Sequence, residues 1–469
     1  MLENLIYFSP MLVLLTAFFV LVFGDHEEEY NCFRFSRIML SLGLVLTIVF
    51  YNKATLPDWT SGTKFSLLFD VLIYGFGLAL LYPAKKWYAA MSMPAYMYCG
   101  NLVLGVLCGS LLVCSINLVL TAVCCVLIMG SNYAMLRQNL NKKDLSFGSR
   151  MYLCAMVGVI AVLAAALMLL YQKCGSLMYA DVYTYMEVYQ DQLITFVLAA
   201  MLVVVFMFLL AAAPLHFWFT EVLGQTILPV FAYFITVPVI ASLAGFISLN
   251  VAVLQPLLPQ LRFFYIATAL LSVGVGAIGS CSGKNIYKMF AYGAVYHFGI
   301  IFLAIRKFTV NAVNSGFIYF FVYLLTMYGV CMCLHGFKRK GENLVMLSEF
   351  EGAAYKRPYI SAVMTIFVFS LLGMPPFFGF LGVFSVLNYL ALHHHFYQLI
   401  YILSMMLIIG YSYLQVVKTI YLEEPKTSFD RVDSGTYTAI LLLIVLMMFV
   451  MLNPYYVAID FKSMLEVVF

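Results

Sequence analysis

Charged residues are scarce in this sequence: Asp, Glu, Lys and Arg make up only 10% of its 469 residues, whereas 64% are hydrophobic. Soluble globular domains carry roughly a quarter charged residues, so the composition excludes an ordinary soluble domain. The formal net charge of +4 is too small for the basic footprint of a nucleic-acid-binding protein. The 11 cysteines lie mostly inside apolar runs, which excludes a secreted disulfide scaffold. These absences indicate an integral membrane protein surrounded by the lipid bilayer.

The sequence also lacks the motifs of redox and metal chemistry. It has no CxxC pair, no glycine-rich phosphate loop in a strand-to-helix context and no dinucleotide fingerprint. The consecutive His393, His394 and His395 point in different directions on a helix, and no second ligand cluster is visible. We therefore expect no metal and no nucleotide, flavin or iron–sulfur cofactor in this chain.

Long apolar runs are abundant instead. A helix needs about 20 mainly apolar residues to cross a bilayer, and such runs predict an all-α polytopic membrane protein with about fourteen transmembrane helices. The runs are continuous rather than alternating, which excludes a closed β-barrel. The twelfth run is long and interrupted. The predicted spans are 5–23, 36–51, 65–83, 96–115, 117–136, 151–171, 192–213, 226–249, 262–281, 286–305, 313–334, 359–391, 396–421 and 436–453.

The distribution of basic residues predicts the orientation of the chain. Eighteen of the 25 Lys and Arg residues follow odd-numbered spans or lie at span ends near those loops, and seven lie on the other side. Because basic loops stay on the cytoplasmic side, both termini are expected on the outer side, away from the cytoplasm or matrix. The first run starts without a basic residue and lacks a small-residue cleavage site, so we expect a span and not a signal peptide.

Prolines inside apolar runs predict interrupted helices. Pro214 directly follows the seventh run, Pro238 falls in the eighth, and Pro375 and Pro376 fall in the twelfth. Proline removes a backbone donor, and at membrane depth the freed groups need partners from protein or water. Two such segments about 160 residues apart predict two inverted five-helix repeats with discontinuous helices 7 and 12, although simple kinks are the alternative. The predicted organisation is a three-helix segment at 1–95, repeats at 96–250 and 259–425, and a last helix with its tail at 426–469.

The sequence resembles the antiporter-like membrane subunits of respiratory complex I. The match to their seventh and eighth helices is AAAPLHFWFTEVLGQTILPVFAYFITVPVIASLAGF. The tenth helix matches KNIYKMFAYGAVYHFGIIFLAI, and the twelfth matches SAVMTIFVFSLLGMPPFFGFLGVFSVL. Similarity to subunit N, the counterpart of mitochondrial subunit 2, comes from NLIYFSPMLVLL, NYAMLRQ and YSYLQVVKTIYLEEP. The resemblance covers nearly the whole chain.

The resemblance implies a membrane-arm subunit of a proton-translocating NADH:quinone oxidoreductase, surrounded by other complex I membrane subunits. Such a subunit belongs to a translocase but has no redox site itself, and other subunits would bind NADH, flavin, iron–sulfur clusters and quinone. The transported ion would be the proton. The implied location is a bacterial inner membrane, with the mitochondrial inner membrane as the alternative. A free-standing cation/proton antiporter subunit (Mrp-type) or secondary transporter is a second interpretation, and a scaffold protein that keeps only the fold is a third.

Members of this family move protons through buried charged residues at the membrane midplane, and this sequence lacks those residues. The family's helix-five glutamate falls near Ala122. Its lysines of helices seven, eight and twelve fall on Leu209, Val239 and Val383. The four corresponding runs contain no Asp, Glu, Lys or Arg at all. We therefore expect the scaffold without its usual proton carriers, which puts proton pumping by this chain itself in doubt.

Two histidines are candidates for a proton path, because ionisable residues inside spans are functional candidates by default. His297 lies about eleven residues into the tenth run, near the midplane, and histidine changes charge in the physiological range. A neutral histidine bonded to a carbonyl or a tyrosine is the alternative. His216, two residues after Pro214, is placed to bond carbonyls freed by the break or to line a water path. Both match histidines of the family.

The remaining candidates are Asp70, Lys288 and Glu221. Asp70 lies in the third run, where desolvation would favour a protonated carboxyl and a role as proton carrier. The alternative is a partnered or snorkelling acid near the outer interface. Lys288 matches a basic position of the family and is otherwise a positive-inside anchor, and Glu221 is expected to be an interfacial acid. The predicted proton path is a half-channel through Lys288 and His297.

Overall fold

The chain is almost entirely helical in the computed structural model, which describes residues 8–24, 29–50, 59–91, 94–138, 143–339, 342–424 and 428–452. The two chain ends, for which the basic residues predict an outer location, lie outside these residues. The α-helices of the described part are α1 (Ser9–Phe23), α2 (Glu29–Phe50), α3 (Lys64–Met91), α4 (Ala95–Cys114), α5 (Leu118–Arg137), α6 (Lys143–Cys174), α7 (Tyr179–Val188), α8 (Leu193–Leu209), α9 (Phe217–Leu223), α10 (Leu228–Phe234), α11 (Val237–Ala252), α12 (Leu258–Cys281), α13 (Ile286–Ile305), α14 (Val310–Gly336), α15 (Ala353–Lys356), α16 (Pro358–Leu371), α17 (Gly379–Leu392), α18 (Phe396–Leu422) and α19 (Ser434–Leu452).

Eleven helical segments of the described part are long and apolar enough to cross a membrane. The shorter apolar helices α1, α8, α16 and α17 fall on the first, seventh and twelfth predicted spans. The prediction of a polytopic, all-helical membrane protein is therefore confirmed. The exact number of fourteen spans and the inverted repeats stay predictions.

Two helices differ from the apolar runs in the sequence. α3 continues to Met91 and contains Pro83, at which the predicted span ends. Prolines are tolerated inside membrane helices where neighbouring groups satisfy the backbone. The additional helix α7 buries only Tyr179, Val182 and Met186, which recur every three or four residues. A narrow apolar stripe of this kind forms an amphipathic helix, which a search for continuous apolar runs misses.

Other regular structure is minor. Strands β1 (Lys338–Arg339) and β2 (Glu342–Asn343) pair antiparallel. Short 3₁₀ helices cover Gln255–Leu257 and Leu347–Phe350.

The helices pack into two compact units. Unit 1 contains the described residues of Met1–Leu210 and Tyr233–Arg262, and unit 2 contains those of Ala211–Ala232 and Phe263–Asp460.

The centre of unit 1 is α11, which is buried on all sides from Val237 to Val251. It packs against α3, α4, α5 and α8. At Gly245 a Cβ atom would lie 2.9 Å from side-chain atoms of Leu112 and Phe206. The small residue therefore allows the close approach of helices that is common in membrane proteins.

The centre of unit 2 is formed by α13 and α14, which are buried along nearly their whole lengths. α14 packs against α13, α16 and α17, and α13 also contacts α18. Because α13 is buried all round, a polar side chain in its middle must find its partners inside the protein.

Candidate functional site

The helix breaks where Pro214 predicts. α8 ends at Leu209, and α9 begins at Phe217. Between them Ala211 has a φ of 49°, in the left-handed region that residues with a Cβ rarely adopt. The backbone N–H of Ala213 donates to the hydroxyl of Ser272, which is buried, at 2.8 Å. A side chain of unit 2 thus satisfies a backbone group freed by the break.

The break at Pro375 and Pro376 is built in the same way. α16 ends at Leu371, and α17 begins at Gly379. The N–H of Gly379 donates to the hydroxyl of Ser370 at 2.8 Å. A Cβ at Gly379 would collide with the Ser370 carbonyl oxygen, so a glycine is required there. Both breaks therefore rely on a buried serine.

Pro238 marks a third interruption. α10 ends at Phe234, and α11 begins at Val237 with Pro238 in its first turn. Proline is favoured at this place because its missing N–H would have no partner within the helix.

The four positions of the family charges carry apolar side chains. Ala122, Leu209 and Val239 are buried, and Val383 is half-buried. Beside Ala122, the hydroxyls of Thr121 and Tyr179 are 2.6 Å apart. Hydroxyls remain neutral at physiological pH, so this position has polar groups but no ionised carrier.

His297 forms a buried cluster with tyrosines of unit 2. Its side chain lies in the middle of α13 and is 2% exposed. The ring Nδ1 is 2.8 Å from the Tyr319 hydroxyl of α14, and Nε2 is 3.3 Å from the Tyr413 hydroxyl of α18. Neutral imidazole carries one donor and one acceptor nitrogen, so one tyrosine accepts from the ring while the other donates to it. A change of tautomer would move a proton between the two sides without creating a net charge.

Two small cavities adjoin this cluster. One has a volume of about 10 Å³ and is lined by His297, Tyr319, Tyr323 and Val383, among others. The second, also about 10 Å³, is lined by Tyr296, Tyr319 and Val383, among others. A water molecule needs about 10–15 Å³, so each cavity is at the lower limit for one water. Val383, where the family lysine would lie, therefore adjoins the His297 cluster.

Lys288 pairs with Glu221 and not with His297. Its Nζ lies 2.5 Å from Glu221 Oε1, with the two side chains 32% and 40% exposed. Asn285 caps α13 and donates from Nδ2 to the Gly224 carbonyl at 2.5 Å, which ties α9 to the same helix end. Nine residues separate Lys288 from His297, which is two and a half turns, so they lie on opposite faces of α13. The structure does not bring together the two residues of the predicted half-channel.

His216 directly precedes α9 and is half-buried. Its carbonyl accepts the N–H of Phe219 at 2.9 Å, so its backbone continues the turn into the helix. Its ring lies 6.4 Å from the Tyr292 ring, centre to centre. The ring also faces the backbone carbonyl of Pro214, although Nδ1 has no hydrogen bond of normal distance and angle within the described residues. His216 is thus placed at the break, without the two-sided bonding that His297 has.

Asp70 belongs to unit 1 and lies on α3. Its side chain is 2% exposed and therefore does not reach the surface. The thiol of Cys114 donates to Oδ2 at 3.9 Å, and the Ser110 hydroxyl also faces the carboxyl.

Some site residues could not be found from the sequence. The apolar runs give no signal for the tyrosines that bond His297 or the serines that satisfy the breaks, because their partners come from other helices. Arg306 counts among the loop cations in the sequence, yet it is 1% exposed and donates to the Leu303 carbonyl. Within the described part of the chain, no group of three or more His, Cys, Asp or Glu could hold a metal ion.

Comparison with known proteins identifies the class. Residues 109–410 match the family described as NADH:quinone oxidoreductase/Mrp antiporter, TM. This match covers more than half of the sequence, and the chain belongs to that family. The matched part contains both proline breaks, the four apolar charge positions and His297.

Curated relatives narrow the resemblance to subunit N. The NADH-quinone oxidoreductase subunit N of Beijerinckia indica is 27% identical over 237 residues, which is 50% of this chain and 49% of the relative. The subunit N of Parvibaculum lavamentivorans is 26% identical over 294 residues, 60% of each chain. The chain thus spans about half the length of the curated relatives it matches. The resemblance predicted from the sequence is confirmed.

Solved structures show the same fold over nearly the whole chain. A chain of respiratory complex I from Thermus thermophilus has a TM-score of 0.79 at 21% identity, covering 96% of this chain and 98% of that one. A chain of the Mrp complex from Dietzia sp. has a TM-score of 0.83 at 14% identity, covering 100% and 97%. A chain of an archaeal membrane-bound sulfane sulfur reductase has a TM-score of 0.85 at 16% identity, with the same coverage.

Proposed function

We propose that this chain is a membrane-arm subunit of a proton-translocating NADH:quinone oxidoreductase and holds the place of subunit N. The observation that carries this proposal is the family match over residues 109–410, together with relatives named subunit N. The proposal includes fourteen spans with two inverted five-helix repeats and both termini on the outer side. The three short apolar segments at the predicted first, seventh and twelfth spans support that number.

The partners in this proposal are other membrane subunits of the same complex. NADH, flavin, iron–sulfur clusters and quinone would be bound by those other subunits. Large apolar side chains such as Leu407, Leu441 and Phe449 are exposed on α18 and α19 and are suited to lipid or to neighbouring helices. The proposed location is the bacterial inner membrane, because the named relatives are bacterial.

We propose that this subunit itself pumps few or no protons. The positions of the family's charged carriers are apolar, and Lys288 and His297 lie on opposite faces of α13. What remains is the neutral cluster of His297, Tyr319 and Tyr413, which is suited to pass a proton by tautomer exchange rather than to store a charge. The subunit would occupy the position of subunit N in the membrane arm and transmit conformational or electrostatic changes from neighbouring subunits.

The test is purification of the tagged full-length protein from its own membranes in mild detergent, followed by mass spectrometry of what accompanies it. Recovery of other oxidoreductase membrane subunits, in amounts comparable to the tagged chain, is expected. An unrelated polytopic membrane protein with the same tag and expression level serves as the control. Recovery alone would contradict the proposal.

The second candidate, a cation/proton antiporter subunit, is favoured by the likeness to the Dietzia Mrp chain over the whole of this chain. Such a function requires an ion site at the midplane, which here could be built only from hydroxyls and carbonyls near the breaks. Co-purification with cation-exchange subunits would support this candidate against the first.

A further inference from the structure

A polar stripe runs through the apolar N-terminal helices. On α3, Ser66, Asp70 and Tyr74 are spaced one turn apart and are all buried. Across from them on α4, Ser110 and Cys114 are also buried and one turn apart. Polar groups at this depth need hydrogen-bond partners. In the described part of the chain, however, Asp70 Oδ1, the Tyr74 hydroxyl and the Ser110 hydroxyl face one another without a hydrogen bond of normal distance and angle.

A cavity lies directly beside the carboxyl. It has a volume of about 20 Å³, and its lining includes Asp70, Thr47, Ser66 and Gly62. A water molecule needs about 10–15 Å³ and two or more polar partners, so the cavity can hold one water. Gly62 and Phe8 are half-buried, which places one end of the cavity near the surface of the protein.

Two hydroxyls of the cavity wall offer hydrogen-bond acceptors rather than donors. The Thr47 hydroxyl donates to the Gly43 carbonyl at 2.9 Å, and the Ser66 hydroxyl donates to the Thr63 carbonyl at 2.8 Å. Both hydroxyl protons are used in these hydrogen bonds, whereas the lone pairs of the hydroxyl oxygens can still accept further hydrogen bonds. A carboxylate in this place finds the weak thiol donor of Cys114 and the hydroxyl of Ser110, whereas a protonated carboxyl can in addition donate into the cavity.

No cation balances this carboxyl in the described part of the chain. The ion pairs there join Lys288 with Glu221 and Lys418 with Glu423, and neither involves Asp70. A buried carboxylate without a partner is strongly unfavourable, because its lost hydration is not replaced. The contacts therefore favour the neutral carboxylic acid.

We propose that Asp70 and its cavity form a proton-binding site that holds one water molecule. The protonated carboxyl donates to this water, and the proton exchanges with the surroundings through the end of the cavity near Gly62. Asp70 itself lies before residue 109, where the family match begins, and the site does not depend on the proposed function.

The test is infrared difference spectroscopy of the full-length protein at neutral pH, as the spectrum of the wild type minus that of Asp70→Asn. A positive C=O band of a protonated carboxyl that shifts in D₂O is expected, because water in the cavity exchanges the proton. A second variant, Cys114→Ser, keeps the carboxyl and offers it a stronger donor, so the same band should move to lower frequency. This variant keeps the test open if Asp70→Asn folds poorly, because its own difference spectrum against the wild type also reports the band.

A carboxylate band in place of the carboxyl band would overturn the proposal. Loss of the carboxyl band on addition of sodium chloride, with potassium chloride as the matched salt, would overturn it too and would indicate a sodium site. Because the measurement uses the protein without its partners, its outcome is independent of whether the chain co-purifies with an oxidoreductase.

Discussion

His297 and Asp70 are both ionisable, both 2% exposed and both on apolar helices, yet their surroundings differ. His297 has a tyrosine hydroxyl at each ring nitrogen. Asp70 has a thiol at 3.9 Å from one oxygen, and its other oxygen has no hydrogen bond of normal distance and angle within the described residues. The histidine has its hydrogen-bond partners within the protein, whereas the proposed site gives the carboxyl a water molecule as a further partner.

This difference shows how a charge-poor membrane protein can keep polar groups in its interior. A fully bonded network fixes the positions of its members and is damaged by any loss. A group bonded to water tolerates changes more readily, because the water can rearrange or leave. The four predictions below test this distinction, beginning with the largest expected effect.

A lysine should be far more costly beside His297 than beside Asp70. Val383→Lys places an ammonium next to cavities of about 10 Å³ whose lining residues include no Asp or Glu. We expect it to lower the free energy of unfolding by about 3 kcal/mol or more. Ser66→Lys, one turn from Asp70, should cost clearly less because the carboxylate can pair with it. Thermal unfolding in detergent measures both.

The matched control for this pair is Val383→Met, which has a similar length without a charge and should cost clearly less than the lysine, about 1–3 kcal/mol for the added volume. Equal costs for the two lysine variants would contradict the distinction between the sites.

Removing the histidine should cost more than removing the carboxyl. His297→Ala leaves the hydroxyls of Tyr319 and Tyr413 without their partner, and each buried unsatisfied group costs about 1–3 kcal/mol. Asp70→Ala removes a weak thiol contact and the interaction with the Ser110 hydroxyl, and it also removes a carboxyl that is costly to bury, so its cost should be smaller. In the purified complex, His297→Ala should also abolish proton movement attributable to this subunit while the complex stays intact. An unchanged proton stoichiometry would remove His297 from any proton path.

Removing the serine hydroxyl with more hydrogen-bond partners should cost more stability, and the two serines at the breaks test this. Ser370 accepts the Gly379 N–H and lies 3.2 Å from the Thr326 hydroxyl, so Ser370→Ala leaves two polar groups short of a partner. Ser272→Ala affects one freed group, the Ala213 N–H. We expect about 1–3 kcal/mol for Ser370→Ala and a smaller loss for Ser272→Ala. Ser404→Ala, an exposed serine of α18, is the control and should be nearly neutral.

The sequence predicts the breaks but not the groups that satisfy them. Pro214 and Pro375 predict a lost backbone donor, because the missing N–H is a property of the proline residue itself. Which hydroxyl accepts the freed N–H depends on the packing of distant helices, so Ser272 and Ser370 carry no sequence signal. The same holds for the tyrosines around His297. The opposite faces of Lys288 and His297 follow from their spacing of nine residues alone, so this part of the site could have been predicted.

The smallest effect is expected at the Lys288–Glu221 pair. Both side chains are at least 32% exposed, so water screens their attraction. The pair therefore differs from the buried sites of His297 and Asp70. A double-mutant cycle of Lys288→Met and Glu221→Gln should give a coupling free energy below about 1 kcal/mol, and added salt should weaken it further. Asn285→Ala is the comparison, because Asn285 caps α13 and holds the Gly224 carbonyl of the same contact through bonds that salt does not screen. Its cost should be about 1 kcal/mol and nearly independent of salt. A large coupling free energy that does not change with salt would contradict this expectation. It would mean that the ion pair is shielded from water, so that Lys288 is a buried residue of α13 as His297 is.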